Sequence, residues 1–137
     1  NNNLNNIKIK TTDYYSDDVD FPKEDIQNLS FLNQSFFYVL CNHVIEHVPN
    51  DNLALKEISR ILKTNGKAIF TIPGDYHINK TKEFKQPDSN GHFRHYGKDV
   101  IEKMKLHFKN VESIDMSSAS KPEFKVRKND LVFICSN

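Results

Sequence analysis

Two nearly continuous apolar runs flank an amphipathic stretch in the middle of the chain. Residues 35–41 (SFFYVLC) and 67–73 (KAIFTIP) have the pattern of strands that are buried on both faces, as in a parallel sheet. Between them a helix is predicted, with N-cap candidates at residues 50–52 and a left-handed C-cap at Asn65 and Gly66. Its apolar positions recur at helical spacing: Leu53, Leu55, Ile58, Ile61 and Leu62. This strand–helix–strand unit predicts an α/β domain with a mostly parallel sheet.

The flanking segments extend this α/β pattern. Residues 7–12 (IKIKTT) alternate apolar and polar side chains, which predicts a strand ending at Asp13. Residues 97–108 (GKDVIEKMKLHF) are predicted to form an amphipathic helix. The segments 110–116 and 129–137 are predicted to be strands. They lie close together in sequence with no helical pattern between them, so we expect them to pair as a C-terminal antiparallel hairpin. The polar residues 75–95 are predicted to be a long surface loop.

Composition excludes several classes of protein. The 137 residues carry a net charge of +1, so no overall electrostatic field attracts nucleic acid or an anionic membrane. No apolar run approaches the ~20 residues of a membrane span. Two cysteines are too few for a disulfide framework, and we expect reduced thiols and a cytoplasmic location. The Asn-rich residues 1–6 are predicted to be a low-complexity leader, and residues 7–137 to form the domain.

Residues 35–73 resemble the central segment of class I S-adenosylmethionine-dependent methyltransferases of the type 11 group. In that family a buried strand enters a turn reading HVLEHVPDD, followed by a helix reading ALxEIxRVLKPGG and a strand that ends in proline. This chain reads HVIEHVPND, ALKEISRILKTNG and KAIFTIP at the same places, and departs at Thr64 and Asn65. Residues 92–104 (HFRHYGKDVIEKM) resemble a later segment of some members. The resemblance implies a Rossmann-like fold, S-adenosylmethionine as cofactor, and methyl transfer to a nucleophile of unknown class.

The resemblance also assigns cofactor-binding residues. Asp13 matches the acidic residue that accepts hydrogen bonds from both ribose hydroxyls. Asp25 matches the acidic residue facing the adenine amino group, and Ile26 beside it supplies an amide and an apolar wall. Cys41 and Asn42 leave the central strand where the methionine part of the cofactor lies in the family.

Candidate catalytic and substrate residues follow the same pattern. His43 is predicted to orient the substrate or accept a proton, because a neutral imidazole does both near pH 7. His92, Arg94 and Tyr96 form a polar and aromatic group that is predicted to contact substrate. Taken singly, each of these residues is also consistent with an ordinary surface or turn role.

His43, Glu46 and His47 form the pattern H-x-x-E-H, which is also a zinc-peptidase signature. The peptidase needs both histidines on one helical face, whereas Pro49 disfavours helical geometry at Val48. The motif also follows a buried strand directly. We therefore predict a turn at a cofactor cleft and no metal site.

A glycine-rich turn after the first strand is expected in this fold, because it lets the backbone approach the cofactor. The first of the four glycines here is Gly66, so the chain lacks that turn and, by the resemblance, the first strand. We expect a methyltransferase domain truncated at its N-terminus, which needs an upstream segment of the same polypeptide. The alternative is a catalytically inactive methyltransferase-like domain that serves as a scaffold or interaction module.

Overall fold

The computed structural model describes residues 7–116 and 131–137. The predicted leader and most of the segment between the last two strands lie outside these residues. In chain order the elements are β1 (Thr12–Asp13), β2 (Phe21–Pro22), β3 (Phe36–Asn42), α1 (Asp51–Ile61), β4 (Leu62–Thr71), β5 (Lys82–Glu83), β6 (Arg94–His95), α2 (Val100–Lys105), β7 (Asn110–Asp115) and β8 (Leu131–Ser136).

The main sheet of the described residues has the strand order β3-β4-β8-β7. Strands β3 and β4 are parallel, with Cys41 opposite Phe70. Strand β8 lies antiparallel to β4 on one side and to β7 on the other. The α/β class and the C-terminal antiparallel hairpin are confirmed, and the sheet as described is mixed, with one parallel pair.

Strands β1 and β2 form a separate parallel pair of two residues each. In the described residues this pair shares no ladder with β3. Aromatic rings connect the two parts: Phe31 packs edge-on against Phe21 and Phe36, with centroids 5.0 Å apart in both pairs. Of the predicted strand over residues 7–12, only Thr12 lies in a β-strand, and that strand continues to Asp13.

One face of the main sheet packs into the apolar core with α1 and α2. Phe70 contacts Phe108 at 6.0 Å between centroids, and the Cys135 Sγ lies 3.8 Å from the Met104 Sδ. The α1 side chain of Leu55 is fully buried. Burying one such side chain contributes roughly 1.5–3 kcal/mol to folding.

The other face of the sheet is open among the described residues. Tyr38 and Leu40 alternate with the buried side of β3, and they are 66% and 77% exposed. Leu40 is opposite Ile69, which in turn is opposite Ile134, and both isoleucines are only partly covered. Sheets containing parallel strands are normally covered on both faces. The exposed apolar side chains therefore mark a surface that this fold usually buries.

Two predicted boundaries were wrong: the helix end at Asn65 and the start of the following strand at Lys67, which the structure places at Ile61 and Leu62. Helix α1 ends at Ile61 instead of at Asn65, because Leu62 is already extended and opens β4. Asn65 does adopt the left-handed conformation, with φ of 63°, but it does so inside β4 where the register with β3 is irregular. At Gly66 an added Cβ would lie 3.0 Å from the Phe37 carbonyl oxygen, so the close approach of the two strands requires glycine.

The predicted surface loop and second helix also differ from the structure. Residues 75–95 include the short antiparallel pair β5–β6 and the buried side chains of Tyr76 and Arg94. Helix α2 covers only the middle of the predicted stretch. None of the helices in the described residues has the length and apolar content to cross a membrane.

Candidate functional site

The parallel strands β3 and β4 end side by side. The Thr71 hydroxyl donates a hydrogen bond to Oδ1 of Asn42, and the amide of His43 donates to the Thr71 carbonyl oxygen at 3.0 Å. His43 adopts the left-handed conformation with φ of 52°, which turns the chain sharply away from the sheet. In open parallel sheets, ligands bind beyond these carboxyl ends.

The H-x-x-E-H segment forms a turn that contains a single 3-10 element, Ile45–His47. Helix α1 begins only after Pro49, and Asn50 caps it by accepting a hydrogen bond from the Leu53 amide at 3.2 Å. The regular helix of a zinc peptidase is therefore absent from this described segment, as the proline predicts.

Arg94 holds this turn from the inside. Its buried guanidinium donates hydrogen bonds of 2.8–2.9 Å to the carbonyl oxygens of Ile45, Val48 and Pro49. The hydroxyl of Tyr96, which is fully buried, donates to Oδ2 of Asp51 at 2.8 Å. Sequence reasoning predicted substrate contacts for Arg94 and Tyr96. The structure places both side chains in the interior, where Arg94 holds the turn and Tyr96 binds the start of α1.

Glu46 lies at the centre of a group of histidines. Its Oε1 is 3.5 Å from Nδ1 of His43 and 3.8 Å from Nε2 of His47. The rings of His47 and His92 meet edge to face, with centroids 4.7 Å apart. Burial raises the pKa of Glu46, while its own backbone amide and the neighbouring His47, His43 and His92 lower it. Of the predicted residues, His43 and His92 are thus brought to one place.

Asp88 orders the loop that carries His92. Its Oδ1 accepts hydrogen bonds from the amides of Asn90 and His92, and its Oδ2 lies 2.7 Å from Nε2 of His95. The amide of His92, followed by the His95 side chain and the Asn90 amide, lowers the pKa of Asp88 to about 2 despite opposing desolvation. A cleft of about 260 Å³ adjoins this loop, and its walls are Pro73, Gly74, Asp75, Asn90, His92 and His95.

Cys41 ends the apolar part of β3 and is buried. Burial, followed by the charge of Glu46, raises the pKa of its thiol to about 12. The thiol therefore stays protonated near pH 7 and is a poor nucleophile. The side-chain oxygen of the adjacent Asn42 accepts the hydrogen bond from the Thr71 hydroxyl and so connects β3 to β4.

The predicted nucleoside-binding residues lie on the segment that contains β1 and β2. Asp13 is exposed, and its Oδ1 accepts from the amides of Tyr15 and Ser16, which lower its pKa. Asp25 accepts from the Gln27 amide at 2.9 Å. Because the Gln27 side-chain oxygen accepts from the Asn50 amide at 3.0 Å, the Asp25 loop is tied to the N-terminus of α1.

Ile26 of this loop packs partly buried against the core. The structure therefore connects Asp25 and Ile26 to the turn that follows β3. It shows no contact between Asp13 and that turn among the described residues.

A larger cleft, of about 580 Å³, lies at the opposite end of β3. Its lining is basic and apolar: Lys8, Lys10, Phe21, Ser30, Phe31, Leu32, Ser35, Phe36 and Lys63. Despite its size, it adjoins the amino end of a parallel strand, where this type of sheet does not bind its ligands. The smaller cleft beside His92 is therefore the better candidate.

Sequence reasoning missed Glu46 and Asp88. The sequence places Glu46 in the methyltransferase turn and in the metallopeptidase pattern but assigns it no role, although an acidic residue between Ile45 and His47 in an apolar turn is a signal of its own. Asp88 gave no signal, because an aspartate in a polar stretch is usually solvated.

Solved structures with the same fold include several methyltransferases. A protein of Pyrococcus horikoshii OT3 superposes with a TM-score of 0.56 and 24% identity, over 87% of this chain and 62% of that one. A SAM-dependent methyltransferase of Thermotoga maritima gives 0.54 and 22%, over 80% and 59%. Haemonchus contortus phosphoethanolamine N-methyltransferase 2, bound to phosphomonomethylethanolamine and S-adenosylhomocysteine, gives 0.50 and 20%, over 69% and 23%. The chain thus spans less than two thirds of each of these proteins.

Sequence comparison gives the family directly. A comparison with curated proteins found no significant match. The sequence model of the methyltransferase domain, however, matches residues 2–70, which is half of the chain and includes β3, α1 and most of β4. This match agrees with the resemblance of residues 35–73 and with the fold of the solved relatives. The chain belongs to the methyltransferase domain family.

Proposed function

We propose that this chain is part of an S-adenosylmethionine-dependent methyltransferase whose reaction takes place at the carboxyl ends of β3 and β4. The observation that carries the proposal is the parallel pairing of these strands, with Asn42 and His43 at their ends, inside a match to the methyltransferase domain. The cofactor supplies an electrophilic methyl group on a sulfonium, and the acceptor is a nucleophilic N, O or C atom.

The residues on the cofactor side fit a nucleoside. Asp13 uses only Oδ1 for its two backbone hydrogen bonds, so Oδ2 keeps its capacity to accept from a ribose hydroxyl. Asp25 likewise keeps accepting capacity beside the half-buried Ile26, which offers an apolar wall. We propose that these residues bind the nucleoside, and that Cys41 and Asn42 line the position of the methionine part.

On the acceptor side, we propose that His43 orients the methyl acceptor or removes its proton. Its side chain is 55% exposed and is directed by the left-handed turn at the end of β3. His92 forms part of the neighbouring cleft and is proposed to contact the acceptor. Arg94 and Tyr96 act through the turn that they hold. Alignment and exclusion of water contribute most of the rate in such a displacement, so a rigid turn is more useful than a strong base.

We also propose that a further segment of the same polypeptide covers the open face of the sheet. Tyr38 and Leu40 are exposed there, and the chain has no glycine before Gly66 to form the cofactor's usual turn. That segment would supply both the missing cover and the missing backbone contacts.

Nuclear magnetic resonance tests the location of the cofactor site. The ¹⁵N-labelled chain is titrated with S-adenosylhomocysteine to millimolar concentration, with ATP as the control adenine nucleotide. We expect shifts at the amides of Asn42, His43 and Ile72 with S-adenosylhomocysteine only. Shifts confined to Phe31 and Phe36, or identical shifts with ATP, would exclude the proposed site.

A further inference from the structure

The Glu46 side chain is buried without a hydrogen-bond partner. It is 0% exposed, and within the described part of the chain neither carboxylate oxygen meets a donor of another residue in hydrogen-bond geometry. An unpaired buried carboxylate costs several kcal/mol, so this arrangement calls for a proton or a cation at the carboxylate. The histidines beside it are too far away, at 3.5 Å and 3.8 Å, for short hydrogen bonds.

His47 is held in the tautomer that a metal ligand needs. Its Nδ1 lies 3.1 Å from the Gly91 carbonyl oxygen, which can only accept, so Nδ1 carries a proton. In the neutral ring this leaves the lone pair on Nε2, the atom that faces Glu46. A backbone carbonyl in this position is a common outer partner of metal-bound histidine. Gly91 has φ of 79°, a conformation that side chains disfavour and that directs its carbonyl towards the ring.

His92 completes a set of three ligand atoms. A carboxylate oxygen of Glu46 and one ring nitrogen each of His47 and His92 all lie within 4.8 Å of one another. Metal–ligand bonds of about 2.0–2.2 Å put neighbouring ligand atoms roughly 3.4 Å apart, so rotations of side chains alone bring the set to bonding geometry. Two imidazoles and one carboxylate suit divalent transition-metal ions and leave open coordination positions.

We propose that Glu46, His47 and His92 form a binding site for a divalent transition-metal cation beside the carboxyl ends of β3 and β4. The cation neutralises the buried carboxylate and fixes the 88–95 loop on the turn that follows β3. The predicted absence of a metal site rested on the lack of a peptidase helix. His92 comes from a different segment of the chain, so the three ligands can meet without a peptidase helix.

A second group, Asp88, His92 and His95, also comes within ligand distance. Asp88 is less suitable as a ligand because it already accepts from two amides and pairs with His95 at 2.7 Å. Its Oδ2 lies 3.9 Å from Nδ1 of His92, too far for a hydrogen bond in this arrangement, and its hydrogen bond with the His92 amide holds the loop that carries this ring.

Metal titration tests the site directly, whether or not the chain transfers methyl groups. EDTA-treated and dialysed chain is titrated with ZnCl₂ by calorimetry, and separately with CoCl₂ while the visible absorption of bound Co²⁺ is recorded. We expect one ion per chain at micromolar affinity. Glu46→Gln and His92→Gln should each weaken binding at least tenfold, whereas His77→Gln, at an exposed histidine outside both groups, should leave it unchanged.

Folding of each variant is checked by circular dichroism. Glu46→Gln removes a buried charge and keeps the shape of the side chain, so it should remain folded. Absence of binding at millimolar Zn²⁺ would overturn the proposal. So would binding that Glu46→Gln leaves intact, because that result would assign the ion to surface histidines.

Discussion

The Tyr96 hydroxyl donates a hydrogen bond of 2.8 Å to Oδ2 of Asp51, a residue 45 positions earlier in the chain. The same oxygen accepts from Nζ of Lys103 at 2.7 Å and lies 3.5 Å from Nε of Arg94. One buried carboxylate therefore joins the start of α1 to the loop before α2 and to α2 itself. Burial, and then the charge of Asp51, raises the pKa of Tyr96, so its hydroxyl remains a donor throughout the neutral range.

Replacing Tyr96 by Phe should lower stability by about 1–2 kcal/mol, because the buried Asp51 loses one of its donors. Urea unfolding followed by circular dichroism measures this change. Tyr14→Phe is the matched control, since the Tyr14 side chain is 54% exposed, and it should have little effect. Equal stability of the Tyr96→Phe variant and the original chain would contradict the role of this hydrogen bond.

Replacing Arg94 by Lys should loosen the turn that follows β3. The ammonium group of Lys keeps the charge but cannot donate to all three carbonyl oxygens that the guanidinium binds. We therefore expect the free energy of unfolding to fall by about 2–4 kcal/mol. Hydrogen exchange gives the local readout: the Phe93 amide, bonded to the Glu46 carbonyl oxygen at 2.8 Å, should exchange faster. The Phe133 amide, in the β4–β8–β7 region, should lose protection only in proportion to the global change. Equal loss at both amides would show that Arg94 has no local role.

The sequence predicted the parts of the fold that depend on apolar pattern. Strands β3 and β4 could be predicted because both runs are apolar at successive positions, although one face of β3, at Tyr38 and Leu40, is exposed among the described residues. The error at Asn65 has a physical cause, since a left-handed residue is compatible with a helix end and with an irregular strand alike. Only the contact between Gly66 and the β3 backbone decides between them, and that contact is not local in sequence.

The candidate site was harder to predict for the same reason. Arg94 and Tyr96 lie in a polar stretch, and polar side chains in such stretches are usually at the surface. The burial of Arg94 depends on carbonyl groups of the 45–49 turn. The burial of Tyr96 depends on the carboxylate of Asp51 at the start of α1. The position of His43 at the end of β3 could be predicted because this residue follows directly on a recognisable strand. The grouping of Glu46 with His92 required the tertiary structure.

Replacing Glu46 by Gln should stabilise the metal-free chain at neutral pH. Burial raises the folded-state pKa of Glu46 above its ordinary 4.5. The folded state therefore favours the neutral carboxyl, and its stabilising contribution is complete below the unfolded pKa and is lost as pH rises through the folded pKa. Gln has no such dependence, so the variant should melt about 3–5 °C higher at pH 7.5, corresponding to about 1 kcal/mol. The difference should shrink towards pH 4.

Calorimetric melting in EDTA across pH 4–8 measures this trend. A difference that is constant with pH would show that the Glu46 charge does not matter. Added Zn²⁺ should reverse the order at pH 7.5, because a ligand that binds only the folded original chain raises its melting temperature.

Residues 1–137 alone should bind S-adenosylmethionine more weakly than micromolar. The cofactor's carboxypropyl group normally meets backbone amides of a glycine-rich turn, and no glycine precedes Gly66 here. The open face of β3 at Tyr38 and Leu40 also leaves the sheet without the cover that rigidifies such a site. Isothermal titration of the chain with S-adenosylmethionine checks this expectation. The same titration on a longer polypeptide that includes the proposed further segment should give at least tenfold tighter binding. A micromolar constant for residues 1–137 would show that β3, β4 and the Asp13 and Asp25 loops are sufficient, and that the proposed further segment is not needed for cofactor binding.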